Sequence, residues 1–181
     1  MWAVSILQVL YFFVPAYLAN MAPVLVGNRL CALAVPLDFG ASIAGTRIFG
    51  DHKTWRGLVL GTLTGAFAFF LQRVVYSAGL AHQLALFDYG TLAPSTGALL
   101  GFGALAGDAV KSFFKRRVGI APGHPWIGPD EIDFYLGAWA CTACLAPVPL
   151  VPMLLSIPVV FVGDILTNFA ARALGLKDTW I

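Results

Sequence analysis

Asp108, Lys111, Ser112 and Lys115 are spaced at i, i+3, i+4 and i+7. On a helix that spacing puts them on one polar stripe. A carboxylate beside ammonium groups suits phosphate chemistry: the acid offers a hard oxygen ligand to a divalent ion such as Mg²⁺, and the lysines hold phosphate oxygens. A salt bridge between Asp108 and Lys111 is the plainer use of the same residues. Downstream, Pro129-Asp130-Glu131-Ile132-Asp133 reads as a helix start, with proline at the first position and acids in the first turn. Capping alone is one reading of Asp130 and Glu131, and a role in the chemistry is the other. Asp133 lies one turn beyond Asp130, with no basic residue beside it in sequence. Asp108 and Asp133 are therefore expected to hold one or two divalent ions together. His52, Lys53 and Arg56 add cationic and imidazole groups in the stretch Gly50–Gly57, as substrate contacts or as a basic anchor at a membrane surface. Lone His82 and His124 carry no metal signature. Asp164 and Asn168 form an i, i+4 pair, either reaching the same site or bonding neighbouring helices.

The elements that position these groups are apolar. The chain of 181 residues is 59% hydrophobic and 11% charged, and its mean hydropathy is +0.82. A soluble domain carries about 25% charged residues. Residues 107–133 hold eight of the twenty Lys, Arg, Asp and Glu, a dense polar cassette between two hydrophobic runs. The composition predicts an all-α integral membrane protein, one catalytic domain of about five spans of ~20 residues each. The expected spans are 2–27, 57–75, 91–117, 131–146 and 153–172, and the expected cytoplasmic loops are 28–56 and 118–130. Pro15 and Pro23 interrupt the first span, which membrane helices tolerate. A secretory signal would need a basic residue ahead of the apolar core, whereas the first one here, Arg29, follows it. Gly57, Gly61 and Gly65 share one face of the second span, and the third carries Gly97, Gly101, Gly103 and Gly107. These faces predict close packing of the two helices. The third helix is expected to run on to about Arg117. Pro147, Pro149 and Pro152 mark the turn of a final hairpin. With the N-terminus outside and the C-terminus in the cytoplasm, every Lys and Arg except Arg73 falls on the cytoplasmic side. Cys141 and Cys144 lie in an apolar run without further zinc ligands nearby and read as small packing residues.

Ser112-Phe113-Phe114-Lys115-Arg116, the upstream Gly107-Asp108 pair and Asp130-Glu131-Ile132-Asp133 resemble the signature of the phosphatidate cytidylyltransferases. Ala121-Pro122 stands in place of that family's Lys-Asp, Glu131 in place of its usual Arg, and the His-Gly-Gly element is missing. The short chain, Asn28-Arg29, Asp38-Phe39-Gly40, the Gly50–Gly57 element and Pro122-Gly123 resemble the archaeal branch of that family, the CDP-archaeol synthases, over nearly the whole length. The resemblance implies a Mg²⁺-dependent reaction of CTP with an isoprenoid glycerol phosphate lipid, 2,3-bis-O-geranylgeranylglycerol 1-phosphate. The products would be a CDP-activated ether lipid and pyrophosphate. It implies in-line attack of the lipid phosphate on the α-phosphorus, with Asp108, Asp130 and Asp133 on the metal and Lys111 beside them. Lys53, Arg56, Lys111, Lys115 and Arg116 would hold phosphates. Asn28, Arg29, Ser112 and His124 would be further substrate contacts. The site would face the cytoplasm, with no nucleic acid and no obligate protein partner. A transporter with an ion or phosphate site, and a general phosphatidate cytidylyltransferase using diacyl lipid, are the alternative readings. The acidic patterns of a CDP-alcohol phosphotransferase and the paired acidic motifs of an intramembrane prenyltransferase are absent.

Overall fold

The structure is a computed structural model, and it describes residues 2–26, 34–122 and 124–175. Among these residues the chain is helical: α1 (Trp2–Phe12), α2 (Val14–Val26), α3 (Trp55–Ser77), α4 (Ser95–Arg117), α5 (Pro129–Thr142) and α6 (Leu150–Ala173). A two-stranded hairpin, β1 (Ser42–Ile43) with β2 (Thr46–Arg47), is an addition to the all-α expectation.

The stretch expected as one first span is two helices bent by 41° about Phe13. Pro15 explains the break. It has no N–H to give the carbonyl of Tyr11, and its ring crowds that carbonyl. The freed oxygen is met from α3, where Gln72 Nε2 donates to Tyr11 O at 2.6 Å. A buried amide in an apolar helix is thus matched to a proline-made vacancy on its neighbour.

By length and composition α3 and α6 are each able to cross a membrane, and the bent pair counts as a third candidate. Their outward faces are apolar: Leu63, Phe67 and Phe70 on α3, and Leu150, Leu154 and Leu166 on α6, are exposed. This is the surface of a membrane protein, whose lipid-facing side chains need no burial. α5 has only 14 residues, and α4 ends in the basic turn Lys115-Arg116-Arg117. The expected extension of that helix to Arg117 is met.

Helix α4 is the centre of the fold, packed between α3 and α5. Glycines bring the backbones together. A Cβ on Gly65 would stand 2.6 Å from Gly97 O and 2.7 Å from Gly101 Cα. On the other side, a Cβ on Gly137 would stand 2.7 Å from Gly107 Cα and still closer to Gly103 O. The glycine faces of the second and third expected spans do pack on each other. Gly103 and Gly107 serve a second interface, against α5. Aromatic residues fill the rest of the core. Phe13 lies 4.4 Å from Tyr135 between ring centroids, and Tyr17 lies 4.9 Å from Phe134.

Candidate active site

The first loop is built around one buried acid. Asp38 Oδ1 accepts from Gly40 N at 3.0 Å and from Arg47 Nη2 at 2.7 Å. Its Oδ2 accepts from Phe49 N at 3.0 Å and Gly50 N at 3.2 Å. Burial alone would push the Asp38 carboxyl up, but the Arg47 guanidinium and these amides outweigh it and hold it well below the usual carboxylate range. Arg47 also pairs with Asp51 at 2.6 Å. Gly50, at φ +100°, takes a conformation that costs an L residue dearly. The loop then runs through an isolated bridge between Pro36 and Thr54. Thr54 caps α3, its hydroxyl accepting from Gly57 N at 3.2 Å. Lys53 is left between these two fixed points, and its ammonium reaches Asp108 on α4.

Lys111 lies one turn beyond Asp108 and is the hub. Its Nζ is 3.1 Å from Asp108 Oδ1, 2.7 Å from Asp130 Oδ1 and 2.8 Å from Asp133 Oδ2. Asp130 has a second lysine, Lys115, at 2.7 Å. It also accepts from Trp126 N at 2.7 Å, so it caps the chain entering α5 and belongs to the cluster at once. Asp133 Oδ2, though within ion-pair distance of Lys111, is buried without an aligned hydrogen bond. Three carboxylates and three ammonium groups from the first loop, α4 and α5 form one network. The separation of 25 positions between Asp108 and Asp133 is closed by the α4–α5 glycine contact.

The network stands on the wall between two hollows. A polar cavity of about 980 Å³ is lined by Lys53, Asp108, Lys111, Ser112, Asp130 and Asp133 among others. An apolar groove of about 580 Å³ between α4 and α5 runs past Gly103, Val110, Phe114, Ile132, Leu136 and Cys141. Lys111 and Asp133 border both.

Every expected site residue within the described segments lines the polar cavity, including Arg56, Lys115, Arg116 and His124. Asn28 and Arg29 lie outside the described residues. Arg116 Nε and Nη1 are buried without a hydrogen-bond partner, an unsatisfied pair of donors that suits an anion. His124 is exposed, and its Nδ1 lies 3.4 Å from Pro122 O. Asp164 and Asn168 join the same cavity, with Asn168 Nδ2 donating to Asp164 Oδ2 at 2.8 Å. Asn20 and Thr167 also line it. Single polar residues in apolar helices gave no signal for them in the sequence. Cys141 and Cys144 are free thiols.

A divalent ion is compatible with this donor set. Among the described residues no three His, Cys, Asp or Glu side chains form a ready-made cage. Asp108, Asp130 and Asp133 instead converge on a cation already, the Lys111 ammonium, and their oxygens are the hard donors that Mg²⁺ takes.

A family model described as CarS-like, CDP-archaeol synthase, matches residues 2–181. The chain belongs to the CDP-archaeol synthase family. A CDP-archaeol synthase from Pyrococcus furiosus is 33% identical over 180 residues, covering 97% of this chain and 95% of the relative. One from Thermococcus onnurineus is 42% identical over 142 residues, covering 75% and 74%. One from Halorubrum lacusprofundi is 38% identical over 174 residues, covering 91% of each. A solved structure of an intramembrane enzyme for archaeal membrane lipid biosynthesis superposes with a TM-score of 0.68 at 31% identity, over 88% of this chain and 91% of that one. The family places the chain among the nucleotidyltransferases that activate a lipid phosphate with CTP, in agreement with the resemblance drawn from the sequence motifs.

Proposed function

We propose that this chain transfers the cytidylyl group of CTP to the phosphate of 2,3-bis-O-geranylgeranylglycerol 1-phosphate. A lipid phosphate oxygen attacks the α-phosphorus of CTP, the bond from that phosphorus to the bridging oxygen breaks, and pyrophosphate leaves. The observation that carries this reading is the Lys111 network on the wall shared by a polar cavity and an apolar groove. The cavity has the charge and size for a nucleoside triphosphate. The groove has the lining for isoprenoid chains, with Lys111 at its edge to meet a phosphate.

The lipid phosphate is already an anion, so the chain needs no covalent nucleophile. Its task is to align two anions and offset their repulsion. Lys53, Lys111 and Lys115 hold phosphate oxygens, and the unpartnered Arg116 guanidinium adds a planar fork for one more. Arg56 and His124 border the same space. Asp108, Asp130 and Asp133 would hold Mg²⁺, which supplies charge neutralisation on the phosphates when bound. The carboxylates also hold the lysines in place through the ion pairs described above.

The protein is proposed to cross the membrane five times as a single catalytic domain, N-terminus outside and active site towards the cytoplasm. The basic residues of α4 and the first loop lie at one end of the bundle in this arrangement. Thiol labelling of single cysteines in intact cells should reach position 88 from outside and position 120 only after permeabilisation. Outside labelling of position 120 would reverse the orientation. For the reaction itself, purified protein with labelled CTP and Mg²⁺ should convert the geranylgeranyl ether phosphate faster than diacyl phosphatidate. Equal or better use of the diacyl lipid would move the protein to the general phosphatidate branch, and no labelled lipid from either would refute cytidylyl transfer.

A further inference from the structure

One carboxylate in the polar cavity serves neither a lysine nor solvent. Glu131 is 1% exposed. Its Oε2 accepts from Gly128 N at 2.6 Å, the helix-start role read from the sequence. Its other oxygen, Oε1, is buried with no hydrogen-bond partner. The residue lines the cavity together with Asp130 and Asp133, yet among the described residues it forms no ion pair with the Arg116 guanidinium that lines the same space. A buried acceptor without a donor is costly unless something supplies one.

The cavity divides by wall. Its lysines and arginines, Lys53, Arg56, Lys111, Lys115 and Arg116, come from the first loop, the start of α3 and α4. The parts contributed by α2, α5 and α6 contain no lysine or arginine; beside the α5 acids they offer Asn20, Asp164, Thr167 and Asn168. A triphosphate belongs against the first wall. Its oxygens are negative acceptors and have nothing to give a carboxylate. An isoprenoid ether lipid phosphate, ionised against the lysines, likewise brings no N–H or O–H. The donors of the substrate pair are on the nucleoside: the exocyclic amine of cytosine and the ribose hydroxyls.

We propose that Glu131 is the residue by which this site recognises the nucleoside, its Oε1 accepting a hydrogen bond from cytidine. The proposal rests on the cytidylyl-transfer reading above and adds to it a specificity-determining contact. A carboxylate facing the cytosine amine accepts its N–H and repels the carbonyl oxygen that uracil carries at that position. Facing the 2′-hydroxyl, it would instead tell a ribonucleotide from its deoxy form.

Glu131→Gln separates this role from capping. Glutamine keeps an oxygen for Gly128 N, since either residue completes that cap, and turns the other atom into an N–H donor. The assay compares kcat/KM for CTP, UTP and dCTP with one lipid phosphate. For the wild type, CTP is expected to be preferred. In E131Q the CTP/UTP ratio should narrow by about tenfold or more if the amine is the donor, and the CTP/dCTP ratio by the same factor if the 2′-hydroxyl is. The thermal midpoint should be unchanged. Glu131→Asp, which keeps the charge but withdraws it by one methylene, should narrow the same ratio less and serves if E131Q does not accumulate. Ratios that stay at the wild-type values in both variants, whatever happens to the absolute rates, would reduce Glu131 to a helix cap. A wild type that uses the three nucleotides equally would also overturn the proposal. A wild type that turns over none of them would overturn cytidylyl transfer itself.

Discussion

Lys111→Met should lower kcat/KM for CTP roughly 100- to 1,000-fold, the usual cost of deleting one preorganised charge at a phosphoryl centre. The variant should also lose about 3 kcal/mol of stability, because three carboxylates are left around a site with no ammonium at its middle. The two losses respond differently to metal. Mg²⁺ placed among Asp108, Asp130 and Asp133 would stand in for the missing charge, so it should raise the thermal midpoint of the variant more than that of the wild type. Asp133→Asn tests the opposite sign of the same network. It keeps size and removes one anion, and kcat should fall about 100-fold while the chain still folds. Pairing it with Asp108→Asn should cost little more than the worse single, since the residues act as one unit. Near-normal turnover of either Lys111→Met or Asp133→Asn at saturating Mg²⁺ and CTP would remove the network from the chemistry.

The second large effect is expected far from any charge. Gly137→Ala adds one methyl where α5 crosses α4, 2.7 Å from the Cα of Gly107. Backbone cannot yield as a flexible side chain does, so the helices must part. Overpacking of this kind costs about 1–3 kcal/mol. Asp133 lies one helical turn from Gly137, and its distance to Lys111 would change with the crossing; a misplacement of ~1 Å at a reacting centre costs on the order of 100-fold. Activity should therefore fall at least about tenfold, together with the thermal midpoint. Gly163→Ala on α6 is the control: a Cβ there meets nothing within 4 Å, and alanine should leave stability equal or raise it by up to about 1 kcal/mol. If both substitutions behave alike, the α4–α5 contact is looser than described.

Local spacing carried much of this site into view. The stripe Asp108, Lys111, Ser112 and Lys115 needed only helical periodicity, and the glycine faces needed only the same count. Partner choice was less legible. The lysines were expected to face phosphate and the acids to face metal, yet in the fold Lys111 takes three acids at once. That depends on α5 returning against α4 at Gly103, Gly107 and Gly137, a tertiary fact with no local mark. The contact of Lys53 with Asp108 spans 55 positions and follows from how Asp38 folds the first loop, which composition does not show. Asp130 was divided between capping and chemistry; in the fold it accepts from Trp126 N and also pairs with Lys111 and Lys115. The bend at Phe13 had a local cause in Pro15, but its answer, Gln72, lies on another helix. Glu131 looked like an ordinary first-turn acid; only the burial of its second oxygen distinguishes it.

The shared wall of the two hollows has a consequence for how the reaction is measured. One hollow is polar and the other apolar, so in the proposed reaction the two substrates approach Lys111 from different phases. Dissolved nucleotide is counted in moles per litre of water. A lipid arriving through the apolar groove is counted as a mole fraction of the surface it is dissolved in. Diluting the lipid phosphate with inert detergent, at fixed amounts of both substrates, should slow the reaction as though lipid had been withdrawn while leaving half-saturation by CTP in its own units. A rate law for this protein thus has two concentration scales, and values obtained in micelles of different loading are comparable only after the lipid scale is converted to surface composition.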